Sequence, residues 1–213
     1  MNSPVYFAKK SEDAYNNFTI CNSGVEVHVS LEDGWRTLAF RGTSFNFKEI
    51  IGNDVYRDAR FIPSHDDILG WCHSGFLKST WEIWPLLRAY VKTEEPVYLT
   101  GHSKGGAEAT LVAALMVHFG WAPAGLITFG SPRVGFQQVS DMLLPVHTER
   151  YVHGIDMVPS HPWPLWGYRH VGERLHLPVR EFEAKDRFLN HKIASYILAA
   201  TETANMEHTF TQC

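Results

Sequence analysis

The stretch Pro96-Val97-Tyr98-Leu99-Thr100-Gly101-His102-Ser103-Lys104-Gly105-Gly106-Ala107 passes from a strand pattern to a helix pattern within a few residues. Residues 97–99 predict a short buried strand, and apolar residues then recur at helical spacing as far as Phe119. Ser103 lies between them, with one glycine two places before it and another two places after it. This G-x-S-x-G pattern predicts a strained strand-to-helix turn whose serine hydroxyl is exposed beside a helix N-terminus. Glycine is required there because the strand and the helix pass too close for a Cβ atom.

The composition predicts one globular domain. The chain has 213 residues, of which 45% are hydrophobic and 20% are charged, enough for a substantial core. We expect a single domain over residues 1–213, with about 20 N-terminal and about 10 C-terminal residues peripheral to it. A formal net charge of −4 argues against nucleic acid or an anionic membrane as an electrostatic partner. No apolar run approaches the ~20 residues of a membrane span.

Cysteine usage and the first residues bear on the cellular compartment. The three cysteines are an odd number for a disulfide framework: Cys21, Cys72 and Cys213. The N-terminus lacks the basic start and the apolar core of a secretory signal. Both observations favour reduced thiols, and we therefore expect a cytoplasmic protein.

Strand and helix patterns alternate on both sides of the central stretch. Residues 24–30 alternate between valine and polar residues, Asp33-Gly34 supplies a turn, and residues 35–40 return as an antiparallel strand. Further buried strands are predicted over residues 124–129 and 150–153, with helices between the strands. This alternation predicts an α/β fold, with a mostly parallel sheet and helices on both faces. Such sheets bind ligands at the carboxyl ends of their strands.

Three polar residues follow the ends of predicted strands: Thr43, Ser103 and Asp156. A free serine is a poor nucleophile, so it needs a histidine base that a buried carboxylate orients. The chain order serine, acid, histidine that accompanies a G-x-S-x-G turn is satisfied by Ser103, Asp156 and His191. The loop at Thr43 follows an early strand, where a further N–H must reach the developing oxyanion. The five-residue pattern alone also fits an ordinary glycine-rich turn, so these other residues carry the hypothesis.

Other residues compete for the roles of acid and base. Asp156 is preferred as the acid because Asp141 lies in a predicted helix and Asp186 in a charged surface stretch. His170 is the serious rival to His191 as the base. Three further histidines are weaker candidates. His102 adjoins the serine on the far side of the turn, His153 precedes the acid on its strand, and His176 lies in the late part of the chain.

A metal site has weaker support. His65, Asp66, Asp67 and His73 could supply ligands, but no helix-spaced pair and no cysteine pair supports them. The sequence therefore calls for neither a metal nor another cofactor.

Aromatic residues are the candidates for a surface that binds an apolar group. Aromatic residues make up 13% of the chain, and aromatic loops near a site can line an apolar pocket. We assign Phe45, Phe47, Trp163 and Trp166 to this role. Residues 44–52 also carry the pattern of one short amphipathic helix, which predicts either a mobile flap over the site or a connecting helix with a buried face.

Five segments together resemble the class 3 lipase family, whose members are fungal-lipase-like α/β-hydrolases. They occur in the family's order: FRGT at 40–43, HSGF at 73–76, GHSKGGA at 101–107, TFGSPRVG at 128–135 and DMVP at 156–159. The resemblance covers residues 38–197, which is most of the chain. It implies the α/β-hydrolase fold and a serine carboxylester hydrolase that acts through an acyl-enzyme.

The resemblance also implies roles for individual residues. It implies a catalytic triad of nucleophile, acid and base: Ser103, Asp156 and His191. The segment that contains His170 is not catalytic in the family. Thr43 and Lys104 would supply the N–H groups of the oxyanion hole, with a lid following Thr43. The family's best-known members have leucine at position 104, and a lysine charge there could alter substrate preference.

The implied substrate is an apolar ester, which the enzyme would meet at a lipid interface. Alternatives on the same triad are a small-ester esterase, a phospholipase A1, a thioesterase and an amidase. The alternative outside the enzymes is a catalytically silent binding protein of the same fold. Nothing in the sequence indicates an oligomeric state.

Overall fold

The computed structural model describes residues 3–43, 62–180 and 185–211. The strands of its main sheet are β1 Ile20–Asn22, β2 Val25–Glu32, β3 Trp35–Phe40, β6 Val97–His102, β7 Gly125–Phe129, β8 Thr148–His153 and β9 Glu173–Leu177. They lie in the order β1-β2-β3-β6-β7-β8-β9. A separate small sheet pairs β4 Pro63–Asp66 with β5 Gly70–His73.

Helices cover both faces of the main sheet. The helices of the described residues are α1 Pro4–Asp13, α2 Ser74–Val91, α3 Lys104–His118, α4 Gln137–Met142, α5 Arg187–Asn190 and α6 Ile193–Thr211. Helices α2, α3 and α4 contribute to the apolar cluster on one face, and α1 and α6 form the cluster on the other face. Two 3-10 turns, Val158–Ser160 and Pro164–Trp166, shape the loop between β8 and β9. The predicted α/β fold with helices on both faces is confirmed.

The sheet joins an antiparallel N-terminal part to a parallel remainder. Asp33 and Gly34 have φ angles of 50° and 84°, the left-handed values that a two-residue hairpin needs, and β2 pairs antiparallel with β3. From β3 through β9 each neighbouring pair is parallel. The carboxyl ends of β3, β6, β7 and β8 therefore meet at one edge, where ligands bind in sheets of this kind.

Packing against two apolar clusters holds the central strand β6 in place. On one face, Leu99 of β6 packs among buried residues of α2 and α3, and α3 is buried along most of its length. On the other face, Phe7 of α1 and Tyr196 of α6 belong to a second cluster with Phe129 of β7. Helix α1, which no pattern in the sequence indicated, begins with a Ser3 cap and a proline in its first turn. In the described part of the chain, no helix has the length and apolar character needed to cross a membrane.

Candidate active site

The turn at Ser103 has the geometry that its sequence pattern predicts. Ser103 adopts φ 57° and ψ −125°, a strained conformation for a residue with a side chain. A Cβ atom on Gly101 would collide with the Gly105 backbone, and one on Gly105 would collide with the Phe40 carbonyl. Glycine is needed at both positions because β3, β6 and the start of α3 are in close contact. The Ser103 N–H donates to the Phe129 carbonyl (2.9 Å), which ties the turn to β7.

Three residues that are far apart in the chain come together at this turn. Ser103 Oγ lies 2.9 Å from His191 Nε2, and His191 Nδ1 lies 2.7 Å from Asp156 Oδ2. Asp156 follows β8, and His191 follows α5 directly. The side chains of Asp156 and His191 are both buried, which strengthens the hydrogen bond between them. The structure therefore brings together the three residues that were selected from the sequence.

The Asp156 carboxylate is held from several directions. Its Oδ2 also accepts a hydrogen bond from the Tyr196 hydroxyl (2.7 Å), and its Oδ1 accepts one from the Val158 N–H (2.9 Å). Burial and the nearby Asp156 charge hold the pKa of Tyr196 well above its usual range, so the hydroxyl stays protonated and donates. Gly130 has φ 58°, and a Cβ atom there would come within 2.9 Å of Asp156 Oδ2. These contacts fix the carboxylate in the position that orients the His191 ring.

A second pair of buried polar residues supports His191 from behind. His102 Nε2 lies 2.7 Å from the His191 backbone carbonyl, and His102 Nδ1 lies 2.8 Å from the Tyr15 hydroxyl. Burial and the neighbouring His191 lower the pKa of His102. The neutral ring therefore donates from Nε2 and accepts the Tyr15 proton at Nδ1. The sequence analysis did not identify Tyr15. The one signal for such a residue was that His102, at the end of a buried strand, needs polar partners.

The loop after β3 lies against the turn. A Cβ atom on Gly42 would come within 2.7 Å of the His102 carbonyl, so the segment that leads to Thr43 passes beside the end of β6. Lys104 is the first residue of α3, and among the described residues its backbone N–H has no acceptor, as is usual at a helix N-terminus. The Thr43 loop and the Lys104 N–H thus both adjoin the turn that holds Ser103.

The side chain of Lys104 has partners of its own. Its Nζ lies 3.1 Å from Glu108 Oε1 and 2.7 Å from the Gly24 carbonyl. Glu108 is fully buried, and burial raises its pKa while Lys104 and a hydrogen bond from Ser79 lower it. The ammonium is therefore neutralised by an ion pair on α3, which leaves the backbone N–H as the part of Lys104 available to a substrate.

The rival histidines have other partners. His170 Nε2 lies 2.7 Å from the Pro159 carbonyl, and burial together with the charges of Arg150 and other arginines lowers the pKa of His170 to about 3. His176 Nε2 lies 3.1 Å from the Gly154 carbonyl. Neither ring is hydrogen-bonded to the serine.

The rival acids and the candidate metal ligands serve local structure. Asp186 accepts two N–H hydrogen bonds at the start of α5, and Asp141 accepts one from a side chain within α4. Asp66 caps a turn and accepts the Trp81 indole N–H (2.8 Å). His73 caps α2 by accepting backbone N–H groups at Nδ1, and burial lowers its pKa to about 4. Within residues 3–43, 62–180 and 185–211, no group of three side chains is arranged to hold a metal ion.

The structure describes only some of the aromatic residues assigned to substrate binding. Trp163 and Trp166 are each 53% exposed on the loop after Asp156, with ring centroids 6.1 Å apart. Leu165 lies between them and is 89% exposed. Phe45, Phe47, the flap over residues 44–52 and Cys213 lie outside the described residues.

The fold and the geometry of the site define the class of protein. A serine on a strained turn after the central strand, with a histidine and a buried carboxylate in a hydrogen-bonded row behind it, is typical of the serine α/β-hydrolases. The family model "Lipase (class 3)" matches residues 37–165, more than half of the chain. The chain belongs to the class 3 lipase family.

Known proteins that resemble the chain agree with this assignment. Secreted mono- and diacylglycerol lipase 1 of Fusarium solani is 39% identical over 161 residues, which cover 70% of this chain and 46% of that protein. Lipase II from Rhizopus niveus is 27% identical with a TM-score of 0.61, over 75% of this chain and 64% of that one. Rhizomucor miehei triacylglyceride lipase shares the fold, with a TM-score of 0.69 and 23% identity over 82% and 78% of the two chains. The chain spans about a third to a half of the length of the curated relatives.

The expected cytoplasmic location is wrong. The Fusarium solani relative and a Penicillium cyclopium relative are both named secreted lipases, which contradicts this expectation. The expectation rested on an odd number of cysteines and on the first residues. An odd number of cysteines is a poor guide to the redox compartment, because a secreted protein can also carry an unpaired thiol.

Proposed function

We propose that the chain is a serine carboxylester hydrolase that acts on esters of apolar acyl chains through an acyl-enzyme. The observation that carries this proposal is the hydrogen-bonded row from Ser103 Oγ through His191 to Asp156. Its position at the carboxyl edge of a parallel sheet and membership of the class 3 lipase family support an ester as the bond that is cleaved. The described residues surround one main sheet, which supports a single catalytic domain over residues 1–213.

Each residue of the row has a proposed role. His191 Nε2 takes the Ser103 proton as Oγ attacks the ester carbonyl, and the same nitrogen then gives that proton to the leaving alcohol. Asp156 holds the His191 Nδ1–H and stabilises the imidazolium that forms. Water, deprotonated by His191, then attacks the acyl-enzyme and releases the acid with a free Ser103.

The developing oxyanion needs donors that are in place before the reaction. We assign this role to the backbone N–H of Lys104 and to the N–H and hydroxyl of Thr43. The support is that the Lys104 N–H lacks an acceptor among the described residues and that the Thr43 loop packs beside the end of β6. Removing one such donor typically costs about 100-fold or more in kcat.

The proposed substrate class is a glyceride or another ester with an apolar acyl chain. The exposed loop with Trp163, Leu165 and Trp166 offers apolar surface next to the Asp156 segment, and tryptophan suits a boundary between water and apolar groups. The Fusarium solani relative is named for mono- and diacylglycerols, and we propose the same class for this chain. Phe45 and Phe47 remain proposed contacts for the acyl chain.

Hydrolysis of p-nitrophenyl butyrate and palmitate by the wild type and by Ser103→Ala tests the proposal. We expect activity that rises with chain length and is lost in the variant. Serine-dependent activity on butyrate alone would instead indicate a small-ester esterase. If neither ester is hydrolysed and a fluorophosphonate probe does not label Ser103, the chain is not a serine hydrolase and the proposal is overturned.

A further inference from the structure

A cavity of about 290 Å³ lies beside the Asp156 carboxylate. Arg133, Arg150, Arg174 and His170 line it together with Asp156, whereas Ser103 and His191 do not. The cavity is formed by β8, β9, the loop between them and the segment after β7 that carries Arg133. It is therefore separate from the region in front of the nucleophile, and its lining carries three cationic side chains against one carboxylate.

Arg150 gives the cavity a buried positive charge that has no ion-pair partner among the described residues. Its side chain projects from β8, lines the cavity and is only 7% exposed. Its Nε atom is buried without a hydrogen-bond partner, and no carboxylate of the described residues forms an ion pair with it. A buried cation without an anion is strongly unfavourable. The arrangement therefore points to an anion that binds there.

Two further arginines reinforce the positive charge. Arg174 of β9 lies directly opposite Arg150 in the pairing of the two strands, and like charges placed opposite each other destabilise a sheet. Arg133 is held at the cavity by hydrogen bonds to the carbonyls of Ser160 (2.6 Å) and Pro162 (2.9 Å). Burial, Arg174 and Arg133 lower the pKa of Arg150 to about 10, so its guanidinium is still charged at neutral pH.

Among the described residues, no acidic side chain forms an ion pair with these cations, although the Asp156 carboxylate lines the cavity with them. Asp156 already accepts hydrogen bonds from His191, Tyr196 and the Val158 N–H. Glu149 and Glu173 pair with each other one position before the two arginines, so they lie on the opposite face of the sheet. His170 is kept neutral and donates to a backbone carbonyl.

We propose that this cavity is a binding site for a phosphate-type oxyanion, with Arg150 and Arg174 as the main ligands and Arg133 as the third. Planar guanidinium groups match the oxygen spacing of phosphate and bind it with two parallel hydrogen bonds. The volume is several times the roughly 30 Å³ of liquid that one water molecule occupies. The cavity thus has room for an organic group on the phosphate as well. Binding at this site does not require the hydrolytic activity proposed above, although Asp156 belongs to both sites.

Thermal unfolding in sodium phosphate and in sodium chloride, at equal ionic strength and pH 7, tests the site directly. We expect a saturable rise in Tm of about 3–6 °C when phosphate reaches ten times its Kd, and a single site in titration calorimetry. Arg150→Met and Arg174→Leu should each abolish the rise. Arg88→Leu is the matched control, because Arg88 is exposed on α2 and does not line the cavity, and this variant should respond like the wild type.

Arg174→Leu keeps the test decisive if Arg150→Met does not fold, because Arg174 is exposed on an edge strand. An equal Tm in phosphate and chloride for the wild type would overturn the proposal. So would a rise in Arg174→Leu as large as in the wild type. Two sources of the phosphate group can be separated with glycerol 3-phosphate and with vesicles of phosphatidate or phosphatidylcholine, using Ser103→Ala to prevent hydrolysis. Saturable stabilisation by the soluble ester assigns a free phosphate monoester, whereas Arg174-dependent retention on phosphatidate vesicles alone assigns a lipid headgroup.

Discussion

On the side of Asp156 that faces His191, the polar atoms are paired, whereas across the carboxylate the Arg150 Nε has no hydrogen-bond partner in the described part of the chain. The carboxylate oxygens toward the triad receive hydrogen bonds from His191, Tyr196 and the Val158 N–H. Across the carboxylate, Arg150 and Arg174 lie side by side with no carboxylate partner among the described residues. The first region is preorganised without a ligand, as catalysis of a charge-forming step requires. The second region becomes complete only when it binds an anion.

This difference predicts opposite responses to substitution. In the paired region, each lost group leaves a buried partner unsatisfied, so both activity and stability should fall. In the unpaired region, removing Arg150 relieves repulsion, so stability should hold or rise while the catalytic groups stay in place.

The largest effect is expected at the nucleophile and its base. Ser103→Ala and His191→Ala should each lower kcat by about 10⁴-fold to 10⁶-fold, because the residues of a triad act as one unit. His170→Ala, on the other side of Asp156, should lower kcat by less than about 10-fold. The measurement is kcat on p-nitrophenyl butyrate, with circular dichroism to verify the fold. A large loss in His170→Ala with activity kept in His191→Ala would reassign the base.

The second effect concerns the support behind His191. Tyr15→Phe removes the donor to buried His102 Nδ1, which should cost about 1–3 kcal/mol of stability. It should also lower kcat more than it changes KM, because His102 holds the His191 carbonyl. Urea unfolding and steady-state kinetics measure the two effects. Tyr6→Phe is the control, since its hydroxyl bonds to a glutamate and a threonine remote from the triad, and an equal loss of kcat there would contradict the positioning role.

The third effect should have the opposite sign. In phosphate-free buffer, Arg150→Met should leave the free energy of unfolding unchanged or raise it by about 1–4 kcal/mol, because it removes a buried unpaired charge. Arg133→Met should instead lower it by about 1–2 kcal/mol, because Arg133 donates to two carbonyls. Urea unfolding of the two variants side by side measures the difference. A large destabilisation in Arg150→Met would show that this arginine has a structural partner.

The residues that could be predicted from the sequence are those marked by a local pattern. Ser103 lies in a five-residue motif that the φ of 57° and the crowding at Gly101 explain. Asp156 could be placed because it follows a strand pattern, and the sheet order brings that strand's carboxyl end to the same edge. His191 could be named only among several histidines, because no local spacing tells which imidazole will reach the serine.

The remaining contacts depend on packing between distant segments. The hydrogen bond between Tyr15 and His102 forms only when α1 packs on the sheet. No periodicity in the sequence predicts that helix. The pairing of Arg150 with Arg174 depends on the register of β8 and β9, and a shift by one residue would place the two side chains on opposite faces. Neither the Tyr15–His102 contact nor the Arg150–Arg174 pair could therefore be predicted from local sequence patterns.

The smallest effect is a pH dependence that originates in the unpaired region. The pKa of His170 in the folded chain is about 3, against 6.5 for the free side chain, since burial and the arginine charges oppose protonation. Because the unfolded chain takes up this proton first, stability is complete above about pH 6.5 and falls as the pH is lowered toward 3. The loss approaches about 1.4 kcal/mol for each pH unit well below 6. Urea unfolding between pH 7 and pH 5 should thus show a steeper loss for the wild type than for His170→Gln. A phosphate bound in the cavity would offset the arginine charges and make the wild-type loss shallower. If the wild type loses stability in parallel with His170→Gln, the lowered pKa of His170 is contradicted, and if phosphate leaves the wild-type loss unchanged, His170 does not sense the arginines.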